Sequence, residues 1–144
     1  TCTDSKNSRI QLSKLLKAYR SNNSYTDYNT PLYWTDYGNA QKTGQVIVGT
    51  IRKNIKQPES KKFETVQRLP FVTEYVKGYT RYKEEESGPS CSLAEALGKQ
   101  DLFVNSSLAH LGCSLLWKMF REGVIFFHGF YMNLDTMHVN PITL

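Results

Sequence analysis

Along the first part of the chain, apolar residues recur in the way that lets a helix pack one side against a core. In "SRIQLSKLLKAY", Ser8 to Tyr19, the residues Leu12, Leu15, Leu16 and Tyr19 stand at i, i+3, i+4 and i+7. That stripe predicts an amphipathic helix capped by Ser8 or Asn7. The Asn-, Ser- and Thr-rich "RSNNSYTDYNTP" that follows predicts a loop. Beyond Pro31, Trp34, Tyr37, Gln41, Gly44, Val48, Ile51 and Ile55 advance in steps of three and four. The spacing predicts a second helix with Thr35 or Asp36 as its N-cap, although Val46-Ile47-Val48 alone reads as a strand. Gln57-Pro58 stops it. A third helix is predicted within Phe63 to Tyr82, where Val72, Tyr75, Val76, Tyr79 and Tyr82 repeat behind Pro70, with Gly78 as its weak point. "EEESGPSCS" reads as a loop, and Ser92 to Lys99 as one or two helical turns closed by Gly98.

The late part of the chain changes pattern. Cys113 to Met119 and Val124 to Tyr131 are short, bulky and aromatic, and the "FREG" between them supplies Gly123 for a turn. Together they predict an antiparallel hairpin. Both of its faces are apolar, so it belongs in a sheet covered on two sides, and helices are the material available to cover it. The expected fold class is therefore α+β: an α-β-α sandwich with a central antiparallel sheet and helices on both faces. Trp117, Phe126, Phe127 and Phe130 are expected to fill its core.

Composition narrows this picture. With 144 residues and 40% hydrophobic content, the chain suits one domain spanning 1–144. Its apolar runs are too short to cross a bilayer, as in Val124-Ile125-Phe126-Phe127. The chain starts at Thr1 without a Met or a signal-peptide pattern, which reads as a processed product. Cys2, Cys91 and Cys113 form no CxxC pair, which disfavours structural zinc and suggests one disulfide plus one free or intermolecular thiol. The sequons at Asn22 and Asn105 lie in stretches that read as surface loops. With the cysteines, they point to a secreted glycoprotein.

Charge adds a candidate surface. Much of the net +5 falls in "RKNIKQPESKK", where Arg52, Lys53, Lys56, Lys61 and Lys62 face one Glu. The plainest interpretation is a solvated loop; the sharper one is a patch for a heparin-like polyanion or acidic lipid heads. The aromatic residues do not alternate with basic ones as in a single-strand groove, so nucleic acid is not an expected partner.

Several strings resemble the CAP superfamily, that is, the cysteine-rich secretory, antigen 5 and pathogenesis-related proteins, including the activation-associated secreted proteins of parasitic nematodes. The matching residues are Arg20 and Ser21 at the end of the first helix, then Pro31, Leu32 and Trp34 leading to Ala40 and Gln41. "FVTEYVKGYTRY" is similar to the family's third helix, and Gly112, Cys113, Val124, Ile125 and Asn133 resemble its late hairpin. The departures also matter. Lys99-Gln100-Asp101-Leu102 and Val104-Asn105 stand where the family has His-Tyr-Thr-Gln and Val-Trp, and Phe126 replaces a second hairpin Cys. The family's metal-holding tetrad of two His and two Glu has no counterpart, since no Gly-Glu-Asn string occurs and the first His is His110.

Enzymatic chemistry would need a nucleophile and a base, here Cys91 or Cys113 with His110, His128 or His138. A metal would need those histidines with a carboxylate such as Asp135. No spacing forces either set together, so no catalytic residue, metal or cofactor is expected. What the resemblance implies is a secreted, non-catalytic effector that binds a host protein and modulates immunity or haemostasis. Tyr25, Tyr28, Arg52, Lys53, Lys56, Lys61 and Lys62 would form the interface, because Tyr offers contact area and a hydroxyl at small entropic cost. The alternatives are a carrier of a small apolar ligand such as a lipid or sterol, and a Cys-dependent hydrolase.

Overall fold

A computed structural model describes residues 5–22, 31–52, 55, 59, 61–81 and 100–143. Helix α1 spans Lys6–Asn22, strands β1 and β2 span Tyr33–Asn39 and Thr43–Thr50, and the short helix α2 spans Val72–Tyr75 with a 3-10 turn at Tyr79–Arg81. Helix α3 spans Val104–Glu122, followed by β3 at Gly129–Asn133 and β4 at His138–Ile142. The four strands form one antiparallel sheet in the order β1-β2-β3-β4. Helices α1 and α2 cover one face and α3 the other, so the fold is the α+β sandwich with helices on both faces of a central antiparallel sheet.

Within that class the elements differ from the periodicity. The region expected to be a second helix is the β1–β2 hairpin, with Tyr37 opposite Val46 and Trp34 opposite Gly49. Val46 through Thr50 are all buried. A strand covered on both faces shows a continuous apolar run, with no alternation to separate it from a buried helix. Thr35 and Asp36 lie inside β1 and cap nothing. The third helix shrinks to α2 and the 3-10 turn, while Phe63 to Pro70 runs outside regular structure. The expected hairpin is also replaced: Cys113 to Met119 lies in α3, and only Gly129 onward is strand. Gly123 does adopt a positive φ, 68°, but as the left-handed residue that ends α3. Residues 92–99 lie outside the described residues.

Two cores flank the sheet. On one side Trp34, Ile47, Ile51, Phe71, Val72 and Ile142 pack with Leu12, Leu16 and Tyr19 of α1. Leu15, expected in the same stripe, is exposed. Its place on the inner face is taken by polar residues, since Arg9 and Ser13 are buried. Arg9 Nε donates to both Asp36 carboxylate oxygens at 3.0 Å, and Nη2 donates to the Tyr37 carbonyl at 2.8 Å. The helix is capped upstream of Asn7 and Ser8, by Ser5, whose hydroxyl accepts the Ser8 N–H at 3.1 Å. On the other side Val46, Phe130 and Met132 pack against Val104 and Leu108 of α3.

The strings that resemble the CAP family sit on other elements here. Pro31, Leu32 and Trp34 lead into β1, and Gly112 and Cys113 lie in the middle of α3.

Candidate functional site

Helix α3 begins where Asp101 Oδ1 accepts the Phe103 N–H at 2.8 Å. It has two apolar faces. Val104, Leu108, Gly112 and Leu115 are buried against the sheet. Gly112 makes the close approach possible: a Cβ there would meet the Tyr37 ring at 2.4 Å. Around the helix from that buried face, Ala109, Cys113, half-buried Leu116 and Phe120 follow one another at intervals of four, three and four, with Trp117 beside them. Trp117 is 61% exposed and Phe120 73%. The Arg121 guanidinium stacks over the Trp117 ring at 5.8 Å. Trp117, expected in the core, is therefore on the surface, because the sequence pattern could not show that the inner face was already filled, and Phe120, expected in a hairpin turn, lies on the same exposed face.

Past Gly123 the chain stays apolar, with Val124 and Phe126 exposed. Phe126, also expected in the core, is 63% exposed and meets Phe63 edge-on at 5.2 Å between centroids. Lys62 Nζ lies 5.2 Å from the Phe63 ring centre. The end of the basic segment thus joins the aromatic surface, and Lys61 and Lys62 are both exposed there. Of the remaining predicted partner residues, Arg52 is half-buried. Tyr25, Tyr28, Lys53 and Lys56 lie outside the described residues.

Between α3 and the β4 edge runs an apolar groove of about 230 Å³, lined by Leu111 and Leu115 together with Phe127, Phe130, Val139 and Pro141. Ser114 and Lys118 supply its polar groups. Of the four aromatic residues expected in the core, only Phe130 is fully buried; Phe127 is half-buried along this groove.

The candidate chemistry disperses. His110 is exposed on α3 and its Nδ1 lies 2.7 Å from the Ser106 carbonyl. His128 is fully buried, with Nδ1 3.1 Å from the Val48 carbonyl, its ring edge-on to Tyr75, and Nε2 unpartnered. Burial holds its pKa below the ordinary value against the pull of the Val48 carbonyl. His138 opens β4, exposed, and Asp135 pairs with Lys42 at 2.7 Å. Among the described residues, no three His, Cys, Asp or Glu side chains gather as a metal site.

Cys113 is a free, exposed thiol on α3. Cys2 and Cys91 lie outside the described residues. Neither sequon is in a loop: Asn22 is the last residue of α1, and Asn105 sits in the first turn of α3. The Asn105 amide donates to Gln100 at 3.3 Å and its carbonyl accepts from Asn39 at 2.7 Å. Among the described residues, no helix is long and apolar enough to cross a membrane. No protein-family model, curated protein or solved structure matches this chain.

Proposed function

We propose that the protein is a secreted, non-catalytic effector that works by binding a host protein in immunity or haemostasis. The observation that carries the binding reading is the corner where Phe63 and Phe126, 40% and 63% exposed, meet edge-on beside Lys62, with Lys61 exposed next to it in the chain. Large aromatic side chains held open next to cations supply desolvation energy and orientation at once, the combination that dominates protein interfaces. The corner lies at the far end of the basic segment that the reading assigns to the interface. The CAP resemblance supports the reading only at the level of an α-β-α arrangement. Paired pull-downs from host plasma or host cell surfaces test it, with the native protein beside a Phe126→Ser, Lys61→Glu, Lys62→Glu variant. A partner held by the first and lost by the second is expected; equal capture by both defeats the assignment.

The groove favours a second reading, a carrier of a small apolar ligand. The groove, near 230 Å³ and open to solvent along α3, is lined mainly by apolar side chains, with Lys118 and Ser114 placed to meet a polar head. Native mass spectrometry of protein from its own source is expected to show a bound lipid-sized mass. Its repeated absence would remove this alternative.

A further inference from the structure

A helix that packs one face against its own sheet has no intramolecular reason to carry a second apolar stripe. Helix α3 carries one, and its order is self-complementary. Ala109, Cys113, Leu116 and Phe120 repeat at the four-three-four spacing of a coiled-coil seam. Turned antiparallel about the midpoint between Ser114 and Leu115, the stripe sets Phe120 over Ala109 of the other copy and Leu116 over Cys113. Each large residue then faces a small one. The charges agree with that orientation: Lys118, Arg121 and Glu122 all lie at the C-terminal end of the helix. An antiparallel pair places them beside the partner's uncharged half, whereas a parallel pair stacks each cation on its own copy.

The area is also adequate. Trp117 and Phe120, 61% and 73% exposed, with the smaller stripe residues, offer roughly 400 Å² of apolar surface per chain. A standard interface buries about 800 Å² per partner, somewhat more than half of it apolar. We infer that the occupant of this face is a second copy of the chain, docked α3 against α3 antiparallel about a two-fold axis. The inference is independent of the host-partner reading, which uses the Phe63–Phe126 corner.

Sedimentation velocity on the full chain across the micromolar range tests this. The expected species at high concentration has twice the 16.6 kDa chain mass. Ala109→Glu and Phe120→Asp change exposed helix positions, so each is expected to keep the native circular dichroism and yet sediment as a monomer. In the pair, the two Cys113 residues stand roughly 10 Å apart. A short bis-maleimide is therefore expected to link two chains, and Cys113→Ser to abolish the link although Cys2 and Cys91 are still present. A native chain monomeric at 100 µM overturns the inference, as does a dimer indifferent to both stripe substitutions. A monomer whose Trp117 emission shifts to the blue on vesicles containing phosphatidylserine also overturns it, and assigns the face to lipid instead.

Discussion

At the scale of single residues, His128 sets a pH dependence. Its ring is sealed between β2 and Tyr75, with Nδ1 on the Val48 carbonyl and Nε2 facing no partner. Protonation would bury a second N–H without an acceptor, which is why burial lowers its pKa below the usual 6.5. Because the unfolded chain takes up that proton first, stability is complete above about pH 6.5 and is lost as pH falls from there toward the folded value. Each unit between the two pKa values amounts to about 1.4 kcal/mol. Burial would raise the pKa of Glu74, but the Phe71 N–H, Lys17 and Arg68 outweigh it and hold the carboxyl low. Its contribution is lost only in a more acid window, below about pH 4.5. Urea midpoints measured from pH 7 to pH 5 are therefore expected to fall for the native chain. They should stay nearly level for His128→Asn, whose amide still reaches Val48; parallel slopes would show that His128 is not the titrating group. Met137 is a second strained point, 81% exposed with φ 54° in the β3–β4 turn. Relieving a left-handed non-glycine residue is expected to make Met137→Gly more stable by about 1 kcal/mol in the same assay.

At the scale of elements, the contact between α3 and the sheet depends on a missing side chain. Gly112 lets α3 approach until Tyr37 fills the place of a Cβ. In an ordinary helix interior, replacing Gly with Ala stabilises by about 1 kcal/mol. Here Gly112→Ala is expected to destabilise by about 1–3 kcal/mol, because the Tyr37 phenol must be displaced from a packed core. The sign of the change in a thermal melt decides the matter. This element also shows what sequence patterning conceals. Gly123 was legible as a residue needing positive φ, but a hairpin turn and a helix C-terminus make the same demand. The "LLWKMF" run in α3 is dense because it serves two faces, and neither period stands out from such a run. Strand β2 misleads in the opposite sense: Val46, Ile47 and Val48 are buried on both sides. The N-terminal helix was readable because its outer face stays polar, although the buried Arg9 and Ser13 resemble surface residues in sequence.

At the scale of the whole molecule, the layered class was legible even where its elements were not. One amphipathic helix and an apolar segment needing cover on two sides already require helices on both faces of a sheet. Which residues form that sheet depends on contacts distant in sequence, and the Arg9–Asp36 pair is the clearest. The two residues join α1 to the β1 edge through 3.0 Å contacts, with side chains 11% and 1% exposed. Burial alone would weaken the Arg9 charge, but Asp36 outweighs it and keeps the guanidinium protonated. The sequence offered Asp36 as a helix cap and gave Arg9 no role, since nothing within either segment reports the other. Removing one partner leaves the other charge buried without its counter-charge, a loss of about 3–5 kcal/mol for Asp36→Leu or Arg9→Met alone. Replacing both with apolar residues of similar size removes the desolvation cost along with the attraction. The Arg9→Met, Asp36→Leu double variant is therefore expected to be more stable than either single one in urea titration. Strictly additive losses would mean that the pairing of the two charges itself contributes nothing to the docking of α1 on the sheet.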